Sequence, residues 1–259
     1  MIARIVGDRR AQAFGRRIDR PEAILLAMVQ TGIAVAGWLV ESPVWVAVAV
    51  ALQLAVGGLG AVQVIGPAQL GSGLARYAMP ATAGVAATLF GRVLPGGVAL
   101  LLIPLVAVLL WTVLYVEVRA SRLEGGRTIQ ELIMTAILVA GSGGTLTLLG
   151  RTAWPAAFAL VVATGIVVTL RSAEARGLGG VEAVGQALLH LLAVLQVAAA
   201  VALLDLPGLV GPAIIGLAFY SWGGAVDALR GGASGRSVAM EFGALAALGV
   251  AVALLLDGF

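Results

Sequence analysis

Four polar side chains stand out in an otherwise apolar stretch: Glu182, Gln186, His190 and Gln196. The first three are spaced i, i+4, i+8, and Gln196 follows fourteen residues after Glu182. With about 100° between successive residues of a helix, all four fall within an arc of about 120°. A face carrying a carboxylate, two amides and an imidazole can line a hydrophilic path, with Glu182 at its mouth and His190 as the proton-responsive member. The same groups can instead hydrogen-bond between helices and only fix packing. Amides and an imidazole facing hydrocarbon would be costly, so the arc is expected to point into the protein.

A second group is acidic. Glu117, Glu131, Glu182, Glu241 and Asp227 fall at the same expected end of different helices. Gathered carboxylates can bind a cation or relay protons. Paired with arginine or set at a helix start, they are structural. Glu131 and Glu182 lie in first turns, where the helix dipole favours negative charge. Glu117 ends a helix, so Arg119 or Arg122 is its expected partner. Gln30 and Gln53 lie near the middle of two successive apolar runs and are expected to bond to each other.

Two serine strings carry weaker signals. Gly232-Ala233-Ser234-Gly235 is similar to the Gly-x-Ser-Gly nucleophile string of rhomboid proteases. That resemblance implies a buried serine with a histidine base on another span. Here Ser234 lies in an arginine-flanked loop and no histidine follows it. Ser142 precedes His190 by two apolar runs, but the helical rise puts the two at different depths. No catalytic residue is assigned from either string.

Residues missing from the chain exclude further chemistry. There is no Lys, Asn or Cys, and His190 is the only histidine. A Schiff base, a phosphate-loop lysine, a thiolate metal site and a multi-histidine zinc site cannot be built within one chain. No cofactor and no metal are expected. The arginine-only basic set and the Ala/Gly/Val/Leu excess suggest a bacterium with GC-rich DNA.

The elements that must position these groups follow from composition. Hydrophobic residues are 61% and charged residues 11% of 259, against about 25% charged in soluble domains. A soluble fold could not cover that much apolar surface, whereas lipid accepts it. Crossing about 30 Å of hydrocarbon takes roughly 20 apolar residues. Nine runs qualify: 22–40, 43–65, 77–95, 97–117, 129–149, 152–170, 182–204, 207–224 and 238–256. The third, with Pro80 and several Gly and Thr, is the weakest.

Arginine retention on the cytoplasmic side then orients them. Threading nine spans from a cytoplasmic N-terminus puts Arg4, Arg9, Arg10, Arg16, Arg17, Arg20, Arg76, Arg119, Arg122, Arg127, Arg171, Arg176, Arg230 and Arg236 inside. Only Arg92 and Arg151 fall outside. The fold expected is an all-α polytopic membrane bundle of about nine antiparallel-neighbour helices, N-terminus cytoplasmic and C-terminus outside. Residues 1–20 form an arginine-rich segment and 21–259 one transmembrane domain.

The expected partners are the lipid bilayer, anionic lipids at the cytoplasmic face and other membrane proteins, with no nucleic acid. The expected location is a bacterial cell membrane. No loop is long enough to fold into a soluble domain, so function must lie within the bundle or at its rims. Transport or permeation of a small solute or ion along the Glu182–Gln196 face is the leading expectation. The alternatives are an accessory subunit of a larger membrane complex, or an intramembrane enzyme acting on a lipid or isoprenoid. A cavity opening sideways into lipid would favour the enzyme; one opening alternately to the aqueous sides would favour transport.

Overall fold

The computed structural model describes residues 21–66, 73–119, 126–149, 153–204, 206 and 208–257. The arginine-rich segment 1–20, Arg122 and Arg151 lie outside the described residues. The described residues form helices and no strands. In chain order the helices are α1 (Pro21–Leu39), α2 (Pro43–Ile65), α3 (Ala75–Gly91), α4 (Gly96–Leu101) and α5 (Ile103–Arg119). Then come α6 (Gly126–Leu149), α7 (Trp154–Ala175), α8 (Gly180–Leu204), α9 (Val210–Arg230) and α10 (Gly235–Asp257).

Among the described residues, six helices are long and apolar enough to cross a membrane: α1, α2, α6, α7, α8 and the Gly235–Val252 part of α10. The protein is therefore a multi-pass helical membrane protein. The other three expected spans also coincide with helical segments, but α3, α5 and α9 fall outside that set. α3 and α5 have 17 residues each, about 26 Å of helix.

α3 explains why its run was the weakest in the sequence. Fourteen of its 17 residues are buried, because α1, α2, α5, α6 and α7 surround it. A helix that meets protein on every side needs no hydrocarbon coat. It can carry Pro80, Thr82, Gly84 and Thr88, which a lipid-facing helix would carry at greater cost. Close approach makes this possible. A Cβ added at Gly57 of α2 would lie 2.6 Å from the Ala81 Cα. One added at Gly144 of α6 would lie 2.5 Å from the Leu89 carbonyl carbon. Small residues at such crossings supply the packing that holds membrane helices together.

The run 97–117 was expected as one helix and is two. Pro104 has no N–H to donate to the Leu100 carbonyl, and its ring clashes there. The chain turns at Leu102 between α4 and α5, where the Leu102 amide bonds the Ala99 and Val98 carbonyls at 3.1 and 3.2 Å.

The remaining helices add outward from this centre. α7 packs on α6 and α8, α9 on α6 and α8, and α10 on α9. Along α10, only 6% of the apolar window is buried within the chain.

Candidate functional site

The carboxylates near the arginine-rich end form two separate ion-pair networks. The first centres on Glu117, near the end of α5 and 3% exposed. Arg171 of α7 meets it with Nε donating to Oε1 and Oε2 at 3.0 and 2.9 Å, and with Nη2 2.8 Å from Oε2. Gln130 of α6 donates from Nε2 to Oε1 at 3.3 Å. Arg76, in the first turn of α3, donates to the Glu117 backbone carbonyl, and its Nε lies 3.8 Å from Oε2.

Glu174, one turn beyond Arg171, completes this group. Its Oε1 accepts from the Ala75 amide at 3.3 Å, placing negative charge at the N-terminus of α3, where the dipole favours it. Its Oε2 lies 3.8 Å from Arg171 Nη1. Gly73, at φ 101°, leaves the space: a Cβ there would be 2.1 Å from the Glu174 Cδ.

The second network joins α6, α7 and α9. Arg176 donates from Nε to Asp227 Oδ1 at 2.9 Å and from Nη2 to Glu131 Oε1 at 2.7 Å, and it also bonds the Ser172 hydroxyl. Arg127 pairs with Asp227 and lies 3.9 Å from Glu131. Each network contains two arginines and two carboxylates. With every one of these carboxylates facing a guanidinium, neither network has negative charge left over for a cation. Among the described residues, no three of His, Asp and Glu converge as a metal site.

The expected partners of Glu117 are therefore corrected. Arg119 lies with its guanidinium 5.4 Å from the Tyr115 ring centroid, and Arg122 is outside the described residues. Arg76 and Arg171 take the role instead. Sequence reasoning had spent these arginines on topology and had not considered Glu174. The i, i+3 spacing of Arg171 and Glu174 was the one local signal for that pair.

The polar arc on α8 does not face one way. Ala183, Ala187, His190, Leu191, Val194, Ala198 and Val201 are buried. His190 lies at the edge of this packed face, 2% exposed. Its Nε2 is 3.0 Å from the Phe219 carbonyl, and its ring stacks on Phe219 with centroids 4.4 Å apart. Gln186 is half-buried, while Glu182 and Gln196 are exposed. Glu182 meets Arg230 of α9 at 3.7 Å, at the rim. The inward expectation fails for Gln196 because the small residues Ala183, Ala187 and Ala198 set the helix's rotation. Glu241 is exposed on α10.

The other polar groups act in packing. Gln53 donates from Nε2 to the Gln30 backbone carbonyl at 2.8 Å and to Thr88 Oγ1 at 3.2 Å. Gln30 donates from Nε2 to the Pro80 carbonyl at 2.8 Å. The two amides thus knit α1 and α2 to α3, where a direct amide–amide bond was expected. Ser142 donates to the Leu138 carbonyl of its own helix at 2.7 Å. The Ser234 hydroxyl accepts from the Ser237 amide at 3.2 Å and caps α10.

A cavity of about 370 Å³ lies between α5 and α6, with α3 as its floor. Its floor includes Ala83 and Ala86; Leu105 and Leu109 line one wall, Ala136 and Ala140 the other. Trp38 and Phe90 stand at one end, Val113 and Ile133 at the end nearer the arginines. Leu105 and Leu109 are 51% and 47% exposed, and Ala136 is exposed too, so the cavity opens on the bundle's outer flank. Every lining residue is apolar. Sequence reasoning missed it, because a gap between two apolar helices leaves no polar mark.

The cavity and the first network share helix faces. Glu117 follows Val113 by one turn of α5, Gln130 precedes Ile133 by about one turn of α6, and Arg76 precedes Ala83 by about two turns of α3. The buried network thus lies just beyond the Val113–Ile133 end of the cleft. No family model matches this chain, and no curated protein or solved structure matches it.

Proposed function

We propose that this protein receives a molecule bearing a hydrocarbon chain, taken sideways from the bilayer into the cleft between α5 and α6, and carries or holds it there. The observation that supports this reading is the cleft itself: apolar throughout, in a membrane protein, with an exposed leucine wall. Its volume is on the order of a dozen water-sized groups, given about 30 Å³ for each. That suits a segment of acyl or isoprenoid chain.

This reading keeps the transport or permeation class and changes the cargo. A hydrophilic solute or ion would need polar groups along its route. On α8 the one buried ionisable group, His190, is stacked against Phe219. A conversion of the ligand has little support, since the cleft offers no nucleophile, acid or base. The Arg76–Glu117–Arg171 group, with Gln130, lies just beyond one end of the cleft and ties α3, α5, α6 and α7 together.

The surrounding topology belongs to the same proposal. The arginine-rich end faces the cytoplasm and its anionic lipids, with nine spans and Phe259 outside, in a bacterial cell membrane. Support comes from arginine placement and from a helical segment at each expected span.

The test is retention of co-purified lipid. Ala140→Trp fills the cleft from α6, while Leu188→Trp adds the same ring to an exposed position of α8. After mild detergent extraction, mass spectrometry should find a chain-bearing molecule on the parent and on Leu188→Trp, and lose it on Ala140→Trp. Equal retention by all three would reject the proposal.

A further inference from the structure

Gln196 presents a problem that the single chain does not solve. It lies eight residues from the Leu204 end of α8, about 12 Å along the helix, too deep for a short amide to reach water. It is exposed, at the centre of the outward face. Gly185, Leu192 and Leu203, all exposed, lie within about 40° of it on the wheel. A primary amide facing hydrocarbon leaves two donors and an acceptor without partners, which a bilayer penalises. Among the described residues the other exposed amide, Gln63, is two residues from the end of α2, where water is near.

We infer that this face of α8 is the interface of a homodimer, with Gln196 of each copy paired to Gln196 of the other across a two-fold axis along the membrane normal. The amide is self-complementary. Nε2 of each copy donates to Oε1 of the other, so each side chain satisfies one donor and the acceptor of its twin. A two-fold axis brings the same patch of both copies together and makes this reciprocal pair. The side-chain atoms of Gly185 and Ala200 are few, so the two backbones can approach on either side of the amides. Leu189, Leu192 and Leu203 supply the rest of the contact. This goes beyond the proposed cleft function and does not depend on it, because the cleft lies between α5 and α6, elsewhere on the bundle.

The absence of native cysteine makes the test clean. The full chain carrying Leu189→Cys, two turns before Gln196 on the same exposed face, is reconstituted in lipid vesicles at low protein density and oxidised. It should form a disulfide-linked dimer, while Met28→Cys, on the exposed face of α1, should remain monomeric. In parallel, energy transfer between labelled copies measures association directly. Gln196→Leu, which disturbs no packing within the chain, should weaken association roughly tenfold, and Gln196→Asn should restore part of it. Undiminished association of Gln196→Leu overturns the inference whatever the cysteine variants do. So does a Leu189→Cys variant that cross-links no better than Met28→Cys.

Discussion

Arg171 grips Glu117 side-on, its Nε at 3.0 and 2.9 Å from the two carboxylate oxygens, although the residues belong to helices with α6 between them in sequence. The Arg171 and Glu117 side chains are 8% and 2% exposed. The pair fastens α5 to the bundle at one end of the cleft.

Removing both partners of this pair should therefore cost less than the two single losses added together. Glu117→Leu removes the carboxylate that Arg171 grips, a loss of about 3–5 kcal/mol for a buried pair. The double variant Glu117→Leu/Arg171→Leu should be less destabilised than the sum of the singles, by about 0.5–3 kcal/mol. Denaturant titration of the four proteins in one detergent measures the coupling. Additive losses would mean that the pair is not coupled.

Adjacent glycines on α2 should behave oppositely. A Cβ at Gly57 meets the Ala81 Cα at 2.6 Å and the Ala81 nitrogen at 2.9 Å, both backbone atoms that have no rotamer to yield. A Cβ at Gly58 meets nothing within 4 Å. Gly57→Ala should lower stability by about 1–3 kcal/mol through overpacking, and Gly58→Ala should lower it not at all. Thermal unfolding of both variants checks the contrast.

His190 and Glu182 should separate into a packing residue and a rim residue. His190→Ala removes a ring stacked on Phe219 and a bond to the Phe219 carbonyl, a loss of about 3 kcal/mol by analogy with buried rings. Glu182→Gln changes an exposed group 3.7 Å from Arg230 and should leave stability within about 0.5 kcal/mol. Neither should alter which lipid co-purifies. Loss of that lipid in Glu182→Gln would restore the α8 face to a functional role.

These residues also mark how far the sequence could be read. Apolar run length located the six helices that are long and apolar enough to cross a membrane, because hydrocarbon thickness imposes a minimum on it. α3 was the weakest run for a physical reason: wrapped in other helices, it escaped the lipid constraint that makes spans visible. The break at Leu102 was written in Pro104, yet a proline in a first turn and a proline at a break look alike in sequence. The rotation of α8 was misjudged at Gln196. The cost of an amide in lipid was applied as if the chain were alone, whereas Ala183, Ala187 and Ala198 decide which side packs. The partners of Glu117 were invisible because arginines that set topology and arginines that neutralise a buried carboxylate are the same residue type in the same loops. An apolar cleft has no sequence signature at all, since the same alanines and leucines would line lipid or a ligand.

The most direct measurement of the central claim is photolabelling with a lipid whose acyl chain carries a diazirine near its end, on the full chain in vesicles. Label should concentrate on two segments, Leu105–Val113 of α5 and Ile133–Ala140 of α6, and an excess of unlabelled lipid should compete it away. Label spread in proportion to exposure, with exposed Leu25, Leu188 and Leu248 marked as strongly as the cleft and no competition, would contradict the account.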